Sequence, residues 1–127
     1  MTPLSAAAAY IDEHRRFFPK TPLPESMSEA DAAALSGLKH KGENGLEYLI
    51  PKPAFDRAFD SIGGSKVVIP ALLHAGFGFA ENERQHKYQV KRKIGRNLRV
   101  RVYAVDARLL EQANDGSMSR RSQMAGL

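Results

Sequence analysis

The sequence predicts an α+β domain of winged-helix-like layout, in which helices are followed by a two-stranded basic β-hairpin that forms the wing. Three observations predict it. Apolar residues recur at helical spacing through the middle of the chain: Phe55, Phe59 and Ile62, then Val68, Leu72 and Ala75. Farther on the period changes to two: Tyr88, Val90 and Ile94 alternate with Gln89, Lys91 and Lys93, and Leu98, Val100, Val102 and Ala104 alternate with Arg99, Arg101 and Tyr103. Between these runs, Gly95, Arg96 and Asn97 supply turn chemistry. A looser α+β domain, with the ribbon joined to a larger sheet, is the alternative.

The elements run in this order. "PLSAAAAYIDEHRRFF" reads as a helix, because Ala is the best helix former and Ser5 is placed to cap it. Pro19, Pro22 and Pro24 end it and stiffen the segment after it. Residues 1–27 are therefore expected to be a helical N-terminal arm with a Pro-rich linker, and residues 28–112 the winged-helix-like domain. "SMSEADAAALSGL" is a short helix: Ser28 and Asp31 resemble a capping box, and Gly37 fits the stop. "KHKGENG" reads as a loop and "LEYLI" as a short strand closed by Pro51. "KPAFDRAFDSIGG" is an amphipathic helix with Pro53 in its first turn and aromatic residues expected in the core. "SKVVIPALLHAGF" is a helix whose start is left open by Pro70, which lacks the N–H a helix interior needs. After the hairpin a last turn or helix begins at Asp106. Residues 113–127 are polar and expected to be disordered.

Composition narrows the function. The chain has 127 residues, no Cys and a net charge of +5. One domain is the default at this length. The absence of Cys excludes a disulfide scaffold and a thiolate metal site. No apolar run approaches the roughly 20 residues of a spanning helix. The first residues lack the basic segment of a signal peptide. The expected setting is cytoplasmic, with no membrane partner. A basic balance favours anionic partners, nucleic acid first.

That charge is concentrated. Residues 84–105 carry no acid, and Glu81 and Glu83 stop where the hairpin begins. Lysine and arginine on a strand also discourage edge-to-edge aggregation, but a merely solvated face mixes its signs. Like charges on neighbouring strands repel by about 0.2–1 kcal/mol per close pair. The expectation is therefore phosphate-backbone binding by Lys87, Lys91, Lys93, Arg99 and Arg101, with Arg96 at the wing tip entering a minor groove. Lys66 and His74 stand on the helix in the recognition position. Tyr103 is a candidate for stacking on an unpaired base.

No constellation for catalysis emerges. "SIGGSK" lacks P-loop spacing and reads as a turn. His14, His40, His74 and His86 show no metal-ligand spacing. Asp56 and Asp60 read as a solvated helix face. No catalytic residue, metal or cofactor is expected, and the domain is read as a non-enzyme.

Two stretches carry a resemblance. "GLEYLIPKPAFDRAF" (residues 45–59), in which an apolar strand reaches a proline and then an aromatic-bearing helix, resembles a segment of the C-terminal domain of TraI-type conjugative relaxases. "VVIPALLHAGFGF", the basic strands and "VYAVDARLL" are similar to the helix, turn and wing of that domain. The resemblance extends over about residues 38–110, and its motifs are short and mostly structural. It implies a winged-helix module on a longer chain that processes DNA for conjugative transfer, with nicking and helicase chemistry elsewhere in that chain. The tyrosines agree, since none adjoins another in the manner of a relaxase nucleophile. Pro70 departs from an uninterrupted recognition helix. The function expected is a DNA-binding accessory module, for single- or double-stranded DNA, with other conjugation proteins as further partners. The alternative is a protein–protein docking module of a DNA-transfer complex.

Overall fold

The computed structural model describes residues 2–43, 45–80 and 88–111. Helix α1 (Pro3–His14) is capped by Thr2, whose side chain accepts from the Ser5 amide; Ser5, the expected cap, lies inside the first turn. The alanines let α1 lie close to its neighbours. Ala6, Ala7, Ala8 and Ile11 are buried in one cluster with Phe55, Phe59, Val68, Ile69 and Leu72.

Helix α2 (Glu29–Ala33) carries the expected capping box between Ser28 and Asp31. Gly37 is not its stop, since α2 ends at Ala33. Gly37 instead lies under the Phe18 ring, where a Cβ would come within 2.5 Å of it. The loop expected at residues 39–45 is mostly strand. β1 (Leu38–Gly42) and β2 (Gly45–Ile50) form a hairpin with Leu38 opposite Leu49. Its polar sequence conceals this, because only Leu38 of β1 is fully buried.

Pro51 ends β2 and opens α3 (Lys52–Phe59), which buries Ala54, Phe55 and Phe59. Gly63 and Gly64 take φ of 111° and 68°, which L side chains rarely adopt, and so turn the chain sharply into α4 (Ser65–Ala75). Pro70 lies inside α4. It denies the Lys66 carbonyl a donor, on the exposed side of the helix where water can replace it. Val68, Ile69 and Leu72 face inward, whereas Val67, Pro70, Leu73 and His74 face out.

The predicted hairpin is β3 (Val90–Gly95) and β4 (Leu98–Asp106). It is not free-standing: β4 pairs with β3 on one side and with β2 on the other. Among the described residues the result is a four-stranded antiparallel sheet in the order β1-β2-β4-β3. The class is thus α+β, as expected, with the ribbon part of a larger sheet.

The sheet curls. Residues 19–23, expected as a linker, bond to both outer strands. The Thr21 amide donates to the Lys39 carbonyl (2.9 Å), the Lys39 amide to the Pro19 carbonyl (2.9 Å) and the Leu23 amide to the Ile94 carbonyl (2.7 Å). Inside the curl lie Leu23, Ala32, Leu38, Leu49, Val90, Ile94, Val102 and Ala104. On the outer face, Tyr48, Ile50, Tyr103 and Val105 meet α1, α3 and α4. Each fully buried aliphatic or aromatic side chain contributes about 1.5–3 kcal/mol relative to exposure.

Arg92, which breaks the apolar alternation of β3, closes one end of the curl. Its Nε and Nη2 donate to the two Glu47 carboxylate oxygens at 2.9 and 3.1 Å, and its guanidinium lies 5.6 Å from the Phe79 ring centroid. Glu47 is 7% exposed and Arg92 22%, so each ion needs the other. His40 Nδ1 hydrogen-bonds Thr21 Oγ1 at 2.7 Å nearby. Burial pushes its imidazole pKa down, with Glu47 drawing it up and Arg92 pushing it further down. At the end of β4, Arg108 bonds the Asp106 carboxylate at 2.9 Å. Burial opposes that charge, but the Arg108 side-chain and backbone hydrogen bonds outweigh it and hold the carboxyl below its usual range. Among the described residues no helix is long and apolar enough to cross a membrane.

The closed end is open to two tests. Arg92→Met strands Glu47 and is expected to cost about 3–5 kcal/mol in urea unfolding, and the double variant with Glu47→Leu recovers most of the loss. A folded-state pKa below the unfolded value means that His40 takes up a proton more readily on unfolding. Stability should therefore fall as pH drops through the unfolded histidine value of about 6.5, and His40→Gln should flatten that part of the profile.

Candidate nucleic-acid interface

Strand register decides which cations stand together. In the β3–β4 ribbon Lys91 lies opposite Arg101 and Lys93 opposite Arg99. Alternation places all four on one face of the ribbon, as expected. That face continues along β4 into Tyr103 and Val105, which the helices cover. The same face is thus basic up to Arg101 and apolar from Tyr103 onward. The change occurs where β2 ends: Ile50 is the last β2 residue, opposite Tyr103, and the chain then turns at Pro51 into α3.

A cleft of about 400 Å³ opens at this point. Lys91, Arg99 and Arg101 line one side; Lys52 and Pro53 of α3 and Glu29 and Ala33 of α2 also line it. Lys93 lines a different hollow, with Lys41 and Arg92. Lys52 bonds Asp56 at 2.6 Å, and that hydrogen bond raises its pKa. Lys52 and Glu29 were not singled out in the sequence. Nothing local marks them, because each reaches the cleft through a turn of the chain rather than through strand spacing.

The other candidates lie apart from this cleft. Arg96, at the ribbon tip, donates to Glu25 at 3.1 Å, with side chains 80% and 71% exposed. Lys66 and His74 are exposed near the two ends of α4, on either side of an outer face made of Val67, Pro70 and Leu73. Val67 and Leu73 are each 40% exposed. α4 packs on α1 and α3, and no α4 residue lines the cleft. The structure therefore groups the ribbon cations with each other and not with Lys66 and His74. Lys87 lies outside the described residues, as do residues 113–127. Tyr103 is no stacking platform for an incoming base: it is 4% exposed, with its ring 4.2 Å from that of Phe55. Among the described residues no group of three or more histidines and carboxylates is placed to hold a metal.

Comparison of the chain with protein-family models, with curated proteins and with solved structures finds no match in any of the three.

The Arg96–Glu25 pair is exposed at both ends, and such pairs contribute little. Arg96→Ala should leave the unfolding midpoint within error of the wild type in a thermal melt.

Proposed function

We infer that this domain binds DNA, holding phosphates on the basic face of the β3–β4 ribbon as an accessory module of a conjugative-transfer protein of the relaxase or helicase type. The observation that carries the reading is the double cross-strand juxtaposition of Lys91 with Arg101 and Lys93 with Arg99. Like charges directly opposite destabilise a strand pair. An anionic backbone laid on that face meets four cations at once and releases its counterions.

The chain order supports the winged-helix reading. β2 precedes α3 and α4, the ribbon comes after them, and β4 inserts between β2 and β3. In that reading α4 takes the recognition position. Its outer residues Val67, Pro70 and Leu73 offer no donors to base edges, so the ribbon holds the backbone and any contact from α4 falls to Lys66 and His74 near its ends. The role is positional: charge neutralisation, then orientation of linked catalytic domains in the cytoplasm.

The same apolar face of α4 favours a second reading, a docking module for another protein of a DNA-transfer complex.

Fluorescence anisotropy with labelled single- and double-stranded DNA over a salt series separates the two. Affinity for duplex should fall with salt at about 0.9 log units per log unit for each phosphate contact. The folded variant with Lys91, Lys93, Arg99 and Arg101 all replaced by Ala should lose that dependence and at least tenfold in affinity. No salt-sensitive binding at low salt would overturn the DNA reading and leave docking through α4.

A further inference from the structure

We propose that the cleft between α2 and the basic ribbon receives an unstacked base of a single-stranded nucleic acid. Lys91, Arg99 and Arg101 hold the adjoining phosphates, and Glu29 accepts from the amino group of the base. The inference rests on the ribbon binding a phosphate backbone and names the form of nucleic acid that it binds.

Two features of the site carry the inference. The cations are not on a protruding surface. Lys91, Arg99 and Arg101 line a concavity of about 400 Å³ whose other walls are α2 and the first turn of α3. A duplex meets a protein with its phosphates outermost and its paired base edges deep in a groove. A concavity walled by cations then touches the phosphates and leaves its own interior empty. A single strand can turn a base inward while its phosphates stay with the cations. The cleft is also mixed in character. Ala33 and Pro53 give it apolar wall, and Glu29 adds an acidic residue to its basic lining. A nucleotide matches both signs, because its phosphate is an anion and a base such as cytosine presents an amino donor that carboxylates accept from. An acidic peptide matches only the cations and is repelled by Glu29.

The test is anisotropy of the full chain with labelled strands of about a dozen nucleotides, a length within the span of small single-strand-binding domains. The probes are oligo-dC, oligo-dT, an abasic strand of equal length and the dC:dG duplex. A polyglutamate peptide serves as competitor. Oligo-dC should bind about five- to a hundredfold more tightly than the abasic strand, the range that one seated base contributes. It should also bind more tightly than the duplex. Ala33→Phe, at an exposed position of α2, fills the cleft and should reduce oligo-dC to the abasic level without changing the abasic strand itself. Glu29→Ala should remove the preference for oligo-dC over oligo-dT.

Equal affinity of oligo-dC and the abasic strand for the wild type overturns the base-binding cleft while leaving backbone binding intact. Tighter binding of the duplex also overturns it. Displacement by polyglutamate that Ala33→Phe abolishes would reassign the cleft to a protein segment. Absence of salt-sensitive binding to every probe overturns the backbone reading as well. The wild-type comparisons need no variant, so the result does not depend on the folding of Ala33→Phe.

Discussion

Strand β4 is buried on both faces over residues 102–105, and the rest of the chain is arranged to cover it. Tyr103 and Val105 take the helices on one side. Val102 and Ala104 take the inside of the curl on the other. A strand with no solvated face needs partners along both edges and a layer over each surface. β2 pairs with residues 103–106 along one edge; on the other edge β3 pairs up to Val102, and Phe77 and Gly78 then bond the strand at Asp106 and Val105. Helices α1, α3 and α4 supply one layer, and α2 with residues 19–23 contributes to the other. This accounts for the near-continuous apolar run "VYAV" within an otherwise alternating strand. It also locates the basic cluster, which occupies the part of the same strand face that the helices do not reach.

The curl creates a second requirement. A concave sheet has open ends, and the end near β1 is stopped by polar groups. Arg92 of β3 reaches Glu47 of β2 although the two stand opposite Val100 and Asp106, six residues apart on β4, and Phe79 flanks its guanidinium. A forked donor facing a nearly buried carboxylate is the geometry in which such ions are best satisfied. The arrangement fixes how far β3 leans toward β2. It thereby bears on the spacing of Lys91 and Lys93, the neighbours of Arg92 on the opposite face.

Much of this was legible in the sequence, for identifiable reasons. Phe55 and Phe59 showed their helical stripe, Ser28 and Asp31 their capping box, and the ribbon its period of two, because each of these signals is local. What escaped was decided at a distance. Lys39, His40 and Lys41 read as loop because a strand held by its backbone at a sheet edge needs few apolar side chains. The Pro-rich residues 19–23 read as linker because nothing in prolines announces pairing with two strands. Tyr103 read as exposed because alternation shows which face a residue occupies, not whether a helix lies over that face. For the same reason Lys91, Lys93, Arg99 and Arg101 were legible as one face, whereas the cleft beside them, formed by Glu29 and Lys52 from separate turns of the chain, was not.

The closure by residues 19–23 also sets an order of events. The backbone of Leu23 pairs with Ile94 and Gly95, and Glu25 finds Arg96 across 71 positions of sequence. During synthesis the first segment leaves the ribosome long before the strand that it must bond to exists. The β1–β2 hairpin and the helical pairs are local and can form as they emerge, whereas the seam between the N-terminal segment and β3 waits for most of the chain. Until then Leu23 and the inner faces of Leu38 and Leu49 stay uncovered. The last contacts made are thus the ones that hide the apolar inside of the sheet, and the vulnerable period of this protein is its time as a nascent chain.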